Sequence, residues 1–173
     1  MRTNPDQDER YLAAAEAHGA ALQRLASAFE ANPERRRDLL QDMHVALWRS
    51  LGAYDERCSI RTWVYRVAHN VAASHVDKQR RTYGGVVGIE EIEHMPDTAS
   101  VVQNVEHSEA INRLHGLIRE LRAPDRQIIT LYLEELDAAA IAEITGLSPG
   151  AVATRISRLK TYLAAKFHEP AHV

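Results

Sequence analysis

The chain has 173 residues, of which 45% are hydrophobic and 26% charged, with a formal net charge of -3. That length suits one ordinary domain or two small ones, and the composition is that of a globular protein. No apolar run approaches the roughly 20 residues that cross a bilayer. The start, Met1-Arg2-Thr3-Asn4-Pro5-Asp6, lacks the apolar stretch of a signal peptide, and the single cysteine, Cys58, excludes an internal disulfide. Together these predict a cytoplasmic chain without membrane insertion.

Nearly every segment reads as helix. Leu22, Leu25 and Phe29 form one stripe at helical spacing. Asn32-Pro33 restarts the chain, because Asn caps a helix well and Pro fits its first position. The next helix carries Leu39, Met43 and Leu47 on one face, with Leu40 and Trp48 beside it, and Gly52 ends it. Ser59 is placed to cap a third helix whose apolar face is Ile60, Trp63, Val64, Val67 and Val71. The period then breaks at Tyr83-Gly84-Gly85, and Pro96 follows. Residues 83–105 read as a linker, since so long a structureless loop inside one domain is unusual. Its Val86, Val87, Ile89, Ile92 and Met95 make it less polar than a plain spacer.

Helical spacing returns with Ile111, Leu114, Ile118 and Leu121. Ala123-Pro124-Asp125 ends that helix and starts another, carrying Ile128, Ile129, Tyr132, Leu133 and Leu136. Two more helices are predicted over 137–145 and 149–167. The predicted fold class is therefore all-α: two small helical domains, 8–82 and 106–168, joined by a flexible linker.

The segment 137–157, DAAAIAEITGLSPGAVATRIS, has the layout of a helix-turn-helix. Ala142 must be small where the second helix crosses, and Gly146 permits the left-handed turn. Leu147, Val152 and Ile156 lock the two helices together, while Ser148 caps the second and Pro149 begins it. In such a motif the second helix enters the major groove. Its outward positions are Ser148, Gly150, Ala151, Ala153, Thr154, Arg155 and Arg158, with Lys160 further along as a phosphate contact or a solvated side chain. Arginine reads guanine through two hydrogen bonds or grips phosphate. The charge is also distributed to suit DNA. From Gly150 to His168 there are four basic residues and no acidic one, whereas Thr82 to Glu109 holds six acidic residues and no Lys or Arg.

The first half narrows the reading. Asp38-Leu39-Leu40-Gln41-Asp42-Met43-His44-Val45-Ala46-Leu47-Trp48 resembles the polymerase-binding segment of bacterial sigma factors. Ser59 to Ala72, SIRTWVYRVAHNVA, resembles the promoter-melting helix of their extracytoplasmic-function group, and Asp77-Lys78-Gln79-Arg80-Arg81 is similar to the basic run that follows it. The second half is similar to that group's promoter-reading domain, including the lead-in Leu121 to Gln127. The resemblance spans about Leu22 to Phe167 apart from the linker.

It implies a sigma factor of the sigma-70 family that brings core RNA polymerase to promoter DNA, with a stress or envelope regulon, a possible anti-sigma factor, a monomeric free state and no enzymatic activity. It places core-polymerase binding on Asp38, Leu39, Gln41 and Asp42. Minus-ten DNA falls to Arg61, Arg66, Asn70, Lys78, Arg80 and Arg81, with Asn70 reading a base flipped from the non-template strand. Minus-thirty-five DNA falls to the outward positions of the last helix. His69 joins the polar groups that the third helix offers, whereas Trp63 lies on the apolar stripe and reads as core. Two departures reduce the expected affinity for DNA. Ala153 stands where a basic residue is usual, and Asp77 interrupts the basic run.

Two other functions stay open at this point. A stand-alone helix-turn-helix regulator would lack the polymerase-binding segment and would dimerise on half-sites about one helical turn apart. A degenerate sigma-like protein would bind polymerase without opening promoters. Nine histidines raise the question of a metal, but none stands in a paired ligand spacing. No phosphate loop or nucleophile motif is present. No metal and no cofactor are expected.

Overall fold

The computed structural model describes residues 5–83 and 103–169, with side chains described for 6–82 and 108–169. Seven α-helices make up these residues: α1 (Pro5–Phe29), α2 (Pro33–Leu51), α3 (Ile60–Tyr83), α4 (Gln103–Glu120), α5 (Ala123–Leu133), α6 (Ala138–Thr145) and α7 (Pro149–His168). No strand occurs among the described residues. Helix takes Tyr83 and Gln103 to Val105 from the two ends of the span read as linker. The rest of that span lies outside the described residues.

Local chemistry sets the helix starts. The Asn32 side chain accepts hydrogen bonds from the Glu34 and Arg35 amides, both at 3.0 Å, with Pro33 next in line. The Ser59 hydroxyl accepts the Thr62 amide at 3.1 Å and so opens α3. In the N-terminal half α1, α2 and α3 pack together around Leu22, Leu25, Leu39, Met43, Leu47 and Leu51, each almost fully buried. A side chain of that kind stabilises the fold by about 1.5–3 kcal/mol on burial. Both indoles are tied down inside this half. Trp48 Nε1 donates to Asp8 at 2.7 Å, and Trp63 Nε1 donates to the Ser50 hydroxyl at 3.0 Å. The core reading of Trp63 is thus a half-buried side chain against Tyr54, 5.3 Å between ring centroids.

The face that α3 buries is wider than the predicted stripe. Val64 is buried, but Ile60, Trp63, Val67 and Val71 are only partly so, while Tyr65, Ala68, His69 and Ala72 are buried more deeply. The reason is that α3 is covered from two sides: α1 and α2 pack on one, α5 and α6 on the other. In the C-terminal half α5, α6 and α7 close around Ile128, Leu131, Ile141 and Val152, with α4 packed on α5 and α7.

The two halves are in contact. Helix α4 lies along α1. Arg119 donates to the Ser27 carbonyl at 2.7 Å, and the Arg126 guanidinium stands 5.3 Å from the centre of the Phe29 ring. A crevice of about 310 Å³ remains between the halves, lined by Phe29, His69, Ala73, Pro124, Gln127 and Leu147 among others.

Candidate nucleic-acid interface

The helix-turn-helix is built as its sequence requires. Asp137 caps α6, accepting the Ala140 amide at 2.8 Å. Gly146 ends that helix at φ 75°, the left-handed backbone that glycine adopts without steric cost, and its amide bonds the Ala142 carbonyl at 2.9 Å. Ser148 caps α7 through the Ala151 amide at 3.2 Å. Ala142, Val152 and Ile156 are buried where α6 and α7 cross.

This leaves Ser148, Gly150, Ala151, Ala153, Thr154, Arg158 and Lys160 exposed along one side of α7. Two of the basic groups have partners within the chain. Arg155 Nη1 bonds Asp125 Oδ1 at 3.1 Å, which ties the reading helix to the first turn of α5. Lys160 Nζ lies 5.5 Å from the centre of the Tyr132 ring, and Arg158 points into solvent.

On α2 the groups Asp38, Gln41 and Asp42 are exposed and form a polar ridge, which Val45 extends at 40% exposure. Leu39 corrects the sequence reading. It is completely buried, so it holds the ridge in place and cannot itself touch a partner. Sequence reasoning missed Val45, although its spacing from Asp38 and Gln41 places it on the same ridge.

On α3 the predicted DNA groups divide. Asn70, Lys78, Arg80 and Arg81 are exposed. Arg61 and Arg66 instead reach the C-terminal half: Arg61 donates to the Glu134 carbonyl, and Arg66 donates to the Glu143 carbonyl at 3.3 Å and pairs with its carboxylate at 3.9 Å. Glu134 also draws in α1. Arg24 grips its carboxylate with Nε at 2.6 Å and Nη2 at 2.7 Å, and the Tyr65 hydroxyl donates to it at 3.2 Å. Burial, followed by the charge of Glu134, pushes the Tyr65 phenol up to about 12, so it remains a donor. The hydrogen bonds that Arg24 donates to Glu134 raise the pKa of its guanidinium. No local sequence signal could have linked Arg24 to a residue 110 positions away.

His69 is the second correction, since it does not join the polar surface of α3. Its ring is 2% exposed, stands edge-on to Phe29 at 5.7 Å, and neither ring nitrogen has a hydrogen-bond partner. Burial pushes its pKa down to about 3. Close by, the buried Glu30 carboxylate is well satisfied. It accepts the Asn32 amide at 2.8 Å, pairs with His75 at 2.8 Å and with Arg35 at 3.5 Å, and accepts from Gln79. Desolvation opposes its ionisation, yet the hydrogen bonds from His75, Asn32 and Gln79 together prevail and its pKa is lowered. Gln79 therefore faces inward while its neighbours Lys78 and Arg80 face out. Among the described residues no three His, Cys, Asp or Glu side chains gather as a metal site, and no helix is long and apolar enough to cross a membrane.

A helical module that offers a polar ridge, followed by a helix-turn-helix module, defines a two-part transcription protein that reads DNA. Residues 14–82 match the family model for Sigma-70 region 2, and residues 111–163 match that for Sigma-70, region 4. The ECF RNA polymerase sigma factor SigW of Bacillus subtilis is 27% identical over 135 residues, covering 73% of this chain and 72% of its own. The RNA polymerase sigma factor CnrH of Cupriavidus metallidurans is 26% identical over 183 residues, covering 94% of this chain and 95% of its own. Two solved structures share the fold. CnrH in complex with the cytosolic domain of CnrY has a TM-score of 0.62 at 22% identity, covering 94% of this chain and 96% of that one. Sigma factor RpoE in complex with the anti-sigma factor NepR, from Bartonella quintana, has a TM-score of 0.71 at 19% identity, covering 98% and 100%.

The chain belongs to the sigma-70 family of RNA polymerase sigma factors, in its extracytoplasmic-function group. Its function is to bind core RNA polymerase and direct initiation at specific promoters. The region 2 match across the first half disfavours a stand-alone helix-turn-helix regulator.

Proposed function

We propose that three separate surfaces divide the work of this sigma factor. The α2 ridge of Asp38, Gln41, Asp42 and Val45 meets core polymerase, with Leu39 as its buried support. Helix α3 handles minus-ten DNA. Asn70 hydrogen-bonds the edge of a base extruded from the non-template strand, using both its donor and its acceptor. Arg61, Arg66, Lys78, Arg80 and Arg81 hold the neighbouring backbone. Helix α7 enters the major groove at the minus-thirty-five element through Ser148, Gly150, Ala151, Ala153, Thr154, Arg155 and Arg158, with Lys160 on phosphate. Arg155 must leave Asp125 to read a base. The working units are residues 8–82 and 106–168, with 83–105 as their tether.

The observation that carries this division is the exposure of Asn70 on α3, beside the buried Ala68, His69 and Ala72. The chain acts where polymerase is, in the cytoplasm, as a monomer when free. An anti-sigma factor is proposed as a further partner, because the neighbours of this fold were solved with CnrY and with the anti-sigma factor NepR. Run-off transcription with purified core polymerase over a set of genomic promoters tests the assignment. Transcripts from a defined subset of promoters are expected. A chain that binds polymerase but yields no transcript from any promoter would instead be a sigma-like regulator that opens no DNA.

A further inference from the structure

We infer that the chain binds an oligophosphate, a run of linked phosphate groups, in a cluster of five arginines at the seam between its two halves. Arg36 comes from α2, Arg80 from the last turn of α3, Arg119 from the last turn of α4, Arg122 from the residue that opens α5, and Arg126 from α5 itself. Helix ends bring them together. Arg119 Nη1 donates to the Ser27 carbonyl near the end of α1 at 2.7 Å, and α2 begins a few residues further on. Arg126 donates to the Arg119 carbonyl and to the Leu121 carbonyl, the latter at 3.1 Å, and its guanidinium rests on the Phe29 ring. Among the described residues none of the five arginines makes an ion pair. Glu30, a carboxylate whose charge is felt at Arg119, is already taken up by His75, Gln79, Arg35 and the Asn32 amide. Of the five, only Arg80 also belongs to the proposed minus-ten surface, so the site stands without that assignment.

Clustered like charges without a counter-ion destabilise the fold, and an anion removes that cost. A guanidinium keeps its proton in a protein, so the repulsion cannot be relieved by titration. Its mark is on the page. Burial and then the charge of Arg36 lower the pKa of Arg119, and burial and then Arg80 and Arg119 lower that of Arg126. His115, half-buried on α4, is lowered by burial and then by Arg119 and Arg36. Two further features call for an acceptor here. Arg126 is nine-tenths buried, yet its Nε has no hydrogen-bond partner, and a buried donor left unmade is costly. Helix α5 opens at Arg122 without a side-chain cap, which leaves the positive end of its dipole uncompensated. The ligand class follows from number and shape. Guanidinium forks meet phosphate oxygens in pairs, and five of them outnumber what one orthophosphate can face, whereas linked phosphates carry the charge along the seam. Single-stranded nucleic acid would want rings to stack on, and the ring that Arg126 covers, Phe29, is 7% exposed.

Isothermal titration calorimetry of the full-length chain with inorganic triphosphate tests the site, with orthophosphate, a nucleoside triphosphate and a short single-stranded DNA run in parallel. Triphosphate is expected to bind once per chain, about tenfold or more tighter than orthophosphate, and to raise the melting temperature. The pKa of His115, followed by NMR, should move up as the phosphates neutralise Arg119 and Arg36. Equal binding of the nucleoside triphosphate assigns recognition to the phosphates alone, and tighter binding identifies a nucleotide as the bearer of the same chain. Arg36→Ala and Arg122→Ala remove side chains that make no hydrogen bond or ion pair among the described residues, so folding should survive both. Each should weaken triphosphate about tenfold, while Arg158→Ala, an exposed cation on α7, should leave it unchanged. Absence of both heat and stabilisation with triphosphate would overturn the site. So would binding that both seam variants retain, an equal loss in Arg158→Ala, or equal affinity for orthophosphate, which marks an adventitious ion only. Single-stranded DNA that binds more tightly than triphosphate, and loses that advantage in Arg36→Ala, would overturn the ligand class in favour of nucleic acid.

Discussion

The two helices assigned to DNA are presented in opposite ways. Helix α7 turns its outward side to solvent from Ser148 to Lys160, and its two ion-paired basic groups, Arg155 with Asp125 and Lys166 with Glu169, find their partners in the same half. Helix α3 is covered on two sides, and two of its six assigned groups are held by the other half. The reading helix packs only within its own half, on α4, α5 and α6 through Val152, Ile156, Leu159 and Leu163, so its outward side is left for DNA. The melting helix must pack α1 and α2 and also support the contact between halves. Its DNA surface is therefore conditional on the arrangement of the whole chain, whereas that of α7 is a property of one motif.

The largest expected effect removes both DNA surfaces from use by way of the third. Asp38→Arg combined with Asp42→Arg should abolish binding to core polymerase, because it reverses the charge of the ridge. Both residues are exposed, so helicity by circular dichroism should not change. A pull-down with undiminished affinity would remove the ridge from the account.

Arg155→Ala comes next and sharpens the contrast on the side of α7. If Arg155 makes a two-bond base contact, its loss should cost about 1–3 kcal/mol and relax preference at one base of the upstream element. Arg158→Ala should weaken all promoters alike, as loss of a phosphate contact does. Titration of both variants as holoenzyme against a promoter series distinguishes them, and equal losses on every promoter would show that Arg155 does not specify sequence. Asp125→Ala releases Arg155 from its pair and should strengthen upstream binding slightly.

A smaller effect probes the crevice. His69 has a folded pKa of about 3, below its ordinary 6.5. The unfolded chain therefore takes up the proton first, so stability is full above pH ~6.5 and falls as the pH drops from there toward 3. Glu30, whose pKa is also lowered, adds its own loss only below its ordinary carboxylate range. His69→Leu removes two unsatisfied nitrogens and should flatten the part of the curve between pH ~6.5 and ~4.5. For a chain of this size each 1 kcal/mol moves the melting temperature by about 2–4 °C. An unaltered acid limb in the variant would mean that His69 does not control it.

The difference between the two DNA helices also explains what the sequence could reveal. The turn of the helix-turn-helix was legible residue by residue, because Gly146, Ser148 and Pro149 act through local backbone geometry, whereas Asp137, read as helical, caps α6 from just outside it. The helices α2 and α3 were legible in kind, and Asn32 and Ser59 marked their starts. The buried arc of α3 was not. Periodicity reports one apolar face, while Tyr65 and His69 are buried between α1, through His18 and Phe29, and the distant C-terminal half. Leu39 was misplaced on the binding surface because a motif quoted as a continuous string carries both the ridge and the residues beneath it. Glu134 gave no signal at all, since an acidic residue at the end of a helix reads as solvated until Arg24, Arg61 and Tyr65 are brought to it by the fold.

Promoter melting through α3 is the central claim, and permanganate footprinting of the minus-ten region measures it most directly. Core polymerase is reconstituted with the wild-type chain or with Asn70→Ala, and reactive unpaired thymines are compared on one promoter. Asn70 is exposed and off the buried arc, so its removal should leave polymerase binding and upstream-element binding nearly unchanged. The account predicts clear thymine reactivity with the wild-type chain and a marked loss with Asn70→Ala, together with loss of preference at the extruded base. Equal reactivity and unchanged preference in the two reconstituted enzymes would contradict it.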